Sequence, residues 1–96
     1  MLYVEAKKKQ NEGIGKMCRV KIVREKKGLI AKEKTVYVKR ADGVIEEITV
    51  SKDSVRNSTL CVGEIERSAN KVLVEFPRES ASGSWRVWVT RASIGA

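Results

Sequence analysis

From Cys18 onward, apolar and polar residues alternate with a period of two, and many of the apolar ones are β-branched. This pattern is typical of strands with one buried face, because apolar residues on a helix recur every three or four positions. No long amphipathic helix is predicted. The alternation predicts six strands, at 18–25, 34–40, 44–50, 60–66, 71–76 and 85–90. We therefore predict an all-β fold.

The connections between these strands carry their own signals. Ala41-Asp42-Gly43 predicts a tight hairpin, and Ser68-Ala69-Asn70 predicts a second one. Pro77 lacks a backbone donor and ends its strand, which opens a longer loop to Ser84. Residues 26–33 are predicted to form a loop or one helical turn. The alternation fails between Val62 and Ile65, which indicates a β-bulge there.

A chain of 96 residues fits one compact domain. Residues 7–16 combine charge with glycine and hold almost no apolar side chains. We therefore predict a flexible, basic N-terminal arm over residues 1–17, followed by a single small β-barrel domain over residues 18–96.

The chain contains an internal repeat, with units at 18–55 and 60–94. Residues 48–55 match residues 87–94, and a similar series of strands precedes each segment. A three-stranded meander cannot bury its own apolar face. Two meanders solve this either by packing together or by closing into one six-stranded barrel. Gene duplication and convergence of β patterns both explain the match.

The second unit has a strand with Gly63, a valine-rich strand at 72–74, a W-x-V strand at 85–89 and a Thr-led turn at 90–94. This order resembles that of the SH3-like and Tudor-type small barrels, over about a third of the chain. The resemblance implies a small barrel that binds nucleic acid or protein. Methyl-lysine readers of those families need a cage of aromatic rings, and the five aromatic residues here are not spaced as one.

Strand parity separates an inner from an outer set of residues. The predicted core is Val36, Val38, Ile48, Val50, Val72, Val74, Phe76, Trp85, Val87 and Val89. The outer set contains Tyr37, Leu73 and Trp88 beside Arg86. Three interpretations remain open for this outer surface. In the first, it stacks on the bases of single-stranded nucleic acid. In the second, it contacts a second copy of the chain or a partner protein. In the third, residues 26–33 or the N-terminal arm fold over it and bury it.

The net charge of +8 is unevenly distributed, since residues 1–40 hold 13 Lys and Arg against four Glu. A basic half beside a nearly neutral one favours an acidic partner, most often nucleic acid. The predicted phosphate contacts are Lys7, Lys8, Lys9, Arg19, Lys21, Arg24, Lys26, Lys27, Lys32, Lys34 and Lys39. The alternative is that these side chains only keep exposed strands soluble. Three glutamates, Glu12, Glu25 and Glu33, interrupt the cluster and weaken the nucleic-acid interpretation.

Several kinds of chemistry are not expected. The chain has no histidine, its two cysteines are widely spaced, and Gly13-x-Gly15 lacks a third glycine. We therefore expect no catalytic residues, metal site or cofactor. No apolar run approaches the roughly 20 residues that span a bilayer, and no secretory signal precedes the strands. We expect a cytoplasmic protein without a membrane partner.

The sequence thus predicts a non-catalytic binding module. The first hypothesis is nucleic-acid binding through the basic N-terminal half. The alternative is a protein-interaction module, as a homodimer or an adaptor, that uses the apolar outer face.

Overall fold

The computed structural model describes residues 16–95. These residues contain nine strands and two 3₁₀ helices of one turn each. The strands are β1 (Met17–Lys21), β2 (Arg24–Lys27), β3 (Glu33–Lys39), β4 (Ile45–Ser51), β5 (Val55–Arg56), β6 (Thr59–Arg67), β7 (Lys71–Glu75), β8 (Arg86–Thr90) and β9 (Ile94–Gly95). The 3₁₀ turns are η1 (Lys52–Ser54) and η2 (Arg91–Ser93). The prediction of an all-β fold is confirmed.

The strands form two antiparallel sheets. The smaller sheet is a three-stranded meander with the order β2-β3-β4. Its first strand is Arg24–Lys27 rather than the predicted 18–25. The larger sheet has the order β8-β7-β6-β1-β9, with the short strand β5 also paired to β6. The larger sheet has six strands rather than three because β1, β5 and β9 add to the β6-β7-β8 meander.

The strand predicted over residues 18–25 is two strands in different sheets. The amide of Ile22 donates to the carbonyl of Ser58 at 2.9 Å, whereas the next amide, that of Val23, donates to the carbonyl of Tyr37 at 2.9 Å. The chain therefore leaves the larger sheet and enters the smaller one between these two residues. Alternation alone did not show this bend, because both segments keep the same period.

Residues 26–33 and the start of the chain also differ from prediction. Lys26 and Lys27 belong to β2 and Glu33 to β3, whereas residues 28–32 between them form a loop, the first of the two predicted alternatives. Met17 pairs with Gly63 in the larger sheet, so β1 begins one residue inside the predicted arm of residues 1–17. Residues 1–15 of that arm lie outside the described residues.

Both sheets bury their inner faces in one shared core. Nine of the ten predicted core residues are buried: Val36, Val38, Ile48, Val50, Val72, Val74, Phe76, Val87 and Val89. Trp85 is a correction, because it is 49% exposed. Trp85 lies just before β8, where the strand periodicity that assigned it to the core does not yet apply. Val20, Leu60 and Val62 complete the core from β1 and β6.

The two repeat units follow the same course. In each unit a long strand leads through one 3₁₀ turn into a two-residue strand, and the caps are Ser51 for η1 and Thr90 for η2. Each two-residue strand pairs with the first strand of the other unit, β5 with β6 and β9 with β1. β1 and β6 pair antiparallel about Arg19 and Cys61, which are equivalent positions of the two units. The shared origin of the units stays a prediction.

Three local features shape the two sheets and their turns. Gly43 has a φ of 91°, and its amide donates to the carbonyl of Arg40, as expected of the predicted hairpin. β5 turns into β6 through Asn57 and Ser58, both with positive φ, a turn the alternation did not reveal. The register of β6 against β7 shifts between Glu64 and Glu66, so the bulge lies at the C-terminal end of the predicted interval.

A buried carboxylate joins the β7–β8 loop to the smaller sheet. Glu46 of β4 accepts hydrogen bonds from the hydroxyls of Ser80 at 2.8 Å and Ser82 at 2.7 Å, and it forms an ion pair with Arg40 at 2.9 Å. Burial alone raises the pKa of Glu46, but these hydrogen bonds and the charge of Arg40 outweigh it, so the pKa lies below its ordinary value. Glu46 is therefore ionised although it is only 2% exposed.

The two cysteines are free thiols on the paired strands β1 and β6, and both are half-buried. Burial raises the pKa of Cys18, which keeps that thiol neutral. Among residues 16–95, no helix is long and apolar enough to cross a bilayer.

Candidate functional site

The predicted phosphate contacts are divided between the two sheets. Arg19 and Lys21 lie on β1 in the larger sheet. The six residues of the smaller sheet and its first hairpin are Arg24, Lys26, Lys27, Lys32, Lys34 and Lys39. Lys7, Lys8 and Lys9 lie outside the described residues. The structure therefore concentrates most of the described contacts on one three-stranded sheet.

Tyr37 lies at the centre of the outer face of this sheet. It is paired with Arg24 on β2 and with Glu47 on β4, so the three side chains form one row across the strands. The Arg24 guanidinium lies 5.3 Å from the centroid of the Tyr37 ring, and the ammonium of Lys26 lies 5.7 Å from it. Both distances are within the range of a cation–π interaction.

The charge of Lys26 is well stabilised in this cluster. Hydrogen bonding and charge at the Tyr37 side chain, and after them the negative charge of Glu47, raise the pKa of Lys26 above its ordinary value. Lys26 is exposed and, like Arg24, forms no ion pair with any residue in the range 16–95. Both cations are therefore held by an aromatic ring and remain available to an external anion.

The β2–β3 hairpin adds further cations at one end of the sheet. Lys27 and Lys32 are exposed and form no ion pair within the described part of the chain. Lys52, from the turn η1, joins them because its amide donates to the carbonyl of Lys32 at 2.9 Å. Lys27 and Lys52 line a depression of about 640 Å³ beneath the hairpin loop. Sequence analysis missed Lys52, since it lies 20 residues from Lys32 in the chain.

Some predicted contacts are occupied inside the protein. The ammonium of Lys34 is 2.9 Å from a carboxylate oxygen of Glu25, and Glu33 pairs with Arg78 at 3.4 Å. Arg19 donates to the hydroxyl of Thr59 at 2.7 Å and to the carbonyl of Ser54 at 3.4 Å. Two of the interrupting glutamates are thus neutralised locally, and the Arg19 guanidinium holds η1 against β6.

No family model, curated protein or solved structure matches this chain. The interpretation of the site therefore depends on its geometry and chemistry.

The predicted aromatic surface is divided in the same way as the basic one. Tyr37 belongs to the smaller sheet, whereas Leu73, Arg86 and Trp88 lie together on the outer face of β7 and β8. Leu73 and Trp88 are paired across the strands and are half-buried. The ammonium of Lys71 lies 5.3 Å from the Trp88 ring centroid, and Arg86 forms an ion pair with Glu75 at 3.4 Å.

The exposed Trp85 borders a third surface that sequence analysis missed. With Met17, which is 55% exposed, and Pro77 it surrounds an apolar depression of about 340 Å³ above Gly63. Gly63 leaves this depression open because it has no side chain. Parity placed Trp85 in the core, so nothing in the sequence indicated this surface.

Proposed function

We propose that this protein binds nucleic acid through the outer face of the smaller sheet and the β2–β3 hairpin. The observation that carries the proposal is the position of Tyr37, whose ring centroid lies 5.3 Å from the Arg24 guanidinium and 5.7 Å from the Lys26 ammonium in a sheet rich in cations. An aromatic ring offers a flat surface to a base, and flanking cations offer charge to the phosphates on either side of that base.

The flexibility of the two cations fits this role. Arg24 and Lys26 are long, exposed side chains on an edge strand, so they can turn from the Tyr37 ring towards a phosphate when a base approaches. Lys27, Lys32 and Lys52 add positive charge at the hairpin end of the sheet. The competing interpretation is that lysines on β2 only prevent another chain from pairing with an open sheet edge.

The experiment is a titration of labelled single- and double-stranded oligonucleotides, followed by fluorescence anisotropy at several salt concentrations. We compare the wild-type protein with a Lys27→Gln/Lys32→Gln variant. Each phosphate contact contributes about 1 to the slope of log affinity against log salt, so the double substitution lowers this slope by about 2. The control is Lys71→Gln, which removes a cation from the larger sheet and leaves the slope unchanged.

The same titration tests the aromatic ring. A Tyr37→Leu variant keeps every cation but removes the stacking surface, so it weakens single-strand binding by about 1–3 kcal/mol at an unchanged salt slope. If Lys71→Gln weakens single-strand binding as much as Tyr37→Leu does, the interface lies instead around Trp88, whose ring Lys71 contacts. Absence of binding at low salt contradicts the proposal, and the lysines then serve only to protect the sheet edge.

As part of the proposal, we treat the domain as one small SH3-like barrel. Two contacts between the sheets support this. The amide of Ala41 donates to the carbonyl of Trp88, and the amide of Ala81 donates to the carbonyl of Glu47, both at 2.8 Å. The 3₁₀ turn η2 between β8 and β9 is also the feature that the resemblance leads us to expect.

A second candidate function is self-association through the larger sheet. Trp88 and Leu73 lie side by side on an outer face, and aromatic residues and Arg are enriched at protein interfaces. Sedimentation equilibrium over a wide range of protein concentration separates the candidates. A concentration-dependent dimer favours this function, and a monomer at every concentration removes it.

A further inference from the structure

The β2–β3 hairpin ends in two aliphatic side chains that face solvent. Leu29 is 90% exposed and Ile30 is 59% exposed. Burying a Leu or Ile side chain is favourable, and this hairpin leaves that free energy unused in the isolated chain. Two adjacent exposed aliphatic residues at the tip of one hairpin therefore suggest a contact with a binding partner.

The tip is held in a defined conformation. The amide of Gly28 donates to the carbonyl of Glu33 at 3.2 Å, and the amide of Glu33 donates back to the carbonyl of Ile30 at 3.0 Å. The carbonyl of Lys32 accepts a hydrogen bond from Lys52 at 2.9 Å. The strands approach so closely that a Cβ at position 28 would lie 2.7 Å from the backbone of Glu33. The two side chains therefore project from an anchored loop.

Cations surround this apolar tip. Lys26 and Lys27 precede it, Lys32 follows it, and Lys52 lies beneath the loop. The complementary ligand is consequently a polyanion that also offers an apolar space into which aliphatic groups can enter. Both a nucleic-acid duplex, with its stacked bases, and an anionic lipid surface have this chemistry.

The position of the cations Arg24 and Lys26 beside Tyr37 favours the duplex over the lipid surface, because they can contact its phosphates. Arg24 is three residues from Lys27 along β2, so the Tyr37 row lies about 10 Å behind the hairpin loop on the outer face of the sheet. A flat bilayer that contacts the tip of the hairpin does not also extend along the face of the sheet to the Tyr37 cluster. An elongated polyanion contacts the tip and the Tyr37 cluster together.

We propose that Leu29 and Ile30 form a wedge that enters between adjacent base pairs of double-stranded DNA and bends it. This inference rests on the proposed function, because the cations of the smaller sheet hold the duplex while the wedge acts. Insertion of aliphatic side chains partly unstacks a base step and kinks the helix. Pyrimidine–purine steps such as TA deform most easily, so the wedge prefers a duplex that contains one.

The test uses the full chain and a duplex of about 20 base pairs with a central TA step, labelled at its ends for resonance energy transfer. Anisotropy reports binding, and transfer efficiency reports bending. The wild-type protein raises the transfer efficiency. A Leu29→Ser/Ile30→Ser variant loses at least half of this increase, while its salt slope is unchanged because every lysine remains. The exposed positions of the two residues leave the fold intact, which an unchanged urea midpoint checks.

The matched control is Val44→Ser. Val44 is 49% exposed in the hairpin at the opposite end of the smaller sheet, and its substitution leaves both binding and bending as in the wild type. Two results overturn the wedge but keep nucleic-acid binding: the wild type binds without bending, or the Leu29→Ser/Ile30→Ser variant bends the duplex fully.

Two further outcomes contradict the wedge and are distinguishable from those above. If no oligonucleotide binds at low salt, the proposed function fails and the wedge fails with it. If the Leu29→Ser/Ile30→Ser substitution abolishes co-sedimentation with phosphatidylserine vesicles while duplex bending is absent, the tip is a lipid contact instead.

Discussion

At the scale of single residues, burial separates side chains of the same type on the same strand. Ile48 and Ile45 both belong to β4, and the first is 1% exposed whereas the second is 48% exposed. Because side chains along a strand alternate between its two faces, a separation of three residues places these two isoleucines on opposite faces. A comparison of the same substitution at these two positions therefore measures how much core burial contributes to the free energy of unfolding, because the strand preference of isoleucine is the same at both.

We predict that Ile48→Val lowers the free energy of unfolding by about 0.5–1.5 kcal/mol, because it removes one buried methyl group. Ile45→Val, the control, changes it by less than about 0.5 kcal/mol. Both variants keep a β-branched residue, so strand preference is constant. Urea unfolding measures the difference. Equal losses at the two positions would show that the outer face is buried to a similar extent.

At the scale of elements, the β2–β3 hairpin depends on close backbone approach. A Cβ at Gly28 would meet the backbone carbonyl carbon and the Cβ of Glu33 at 2.7 Å, closer than side chains tolerate. Gly63, also paired in a sheet, would place its Cβ 3.8 Å from the nearest atom, which is ordinary contact. The two glycines therefore differ in what their substitution does.

Gly28→Ala is expected to destabilise the protein by about 1–3 kcal/mol, since the strands of the hairpin must separate. Gly63→Ala is neutral or stabilising by up to about 1 kcal/mol, because alanine restricts the unfolded chain. Thermal or urea unfolding of both variants provides the comparison. A tolerated Gly28→Ala protein would mean that the hairpin adjusts freely, and the anchored tip would lose its support.

At the scale of the whole molecule, Glu46 connects the β7–β8 loop to the smaller sheet. Its pKa is lowered in the folded state, so the ionised form stabilises folding above the ordinary glutamate pKa of about 4.3. This contribution disappears as the pH falls through the folded pKa. Glu64 acts with the same sign, because hydrogen bonds from Arg67 lower its pKa.

We predict that Glu46→Gln destabilises the protein at pH 7 and that its difference from the wild type shrinks as the pH falls below the ordinary glutamate pKa of about 4.3, because the unfolded chain then takes up a proton that folded Glu46 accepts only at lower pH. Urea midpoints measured across this range give the difference. Glu79→Gln, in an exposed position of the same loop, serves as the control and shows no such trend. A deficit of the Glu46→Gln protein that is constant with pH contradicts an ionised Glu46.

The sequence by itself determined the class of fold, most strand positions and nine of the ten predicted core residues, because a period of two records which face of a strand is buried. It also predicted the Thr-led turn at 90–94, where η2 lies, and the repeat matches that segment with residues 48–55. These features are local, since each depends on a few neighbouring residues.

Only the tertiary structure decided which surfaces assemble. The first predicted strand bends between Ile22 and Val23. Arg24 and Lys26 therefore lie in the same sheet as Tyr37, whereas Arg19 lies in the other sheet. The tertiary structure also brought Lys52 to Lys32 and exposed Trp85. The physical reason is that alternation fixes the face of a strand but not its partner. Partners are chosen by hydrogen bonds and core packing between segments far apart in the chain.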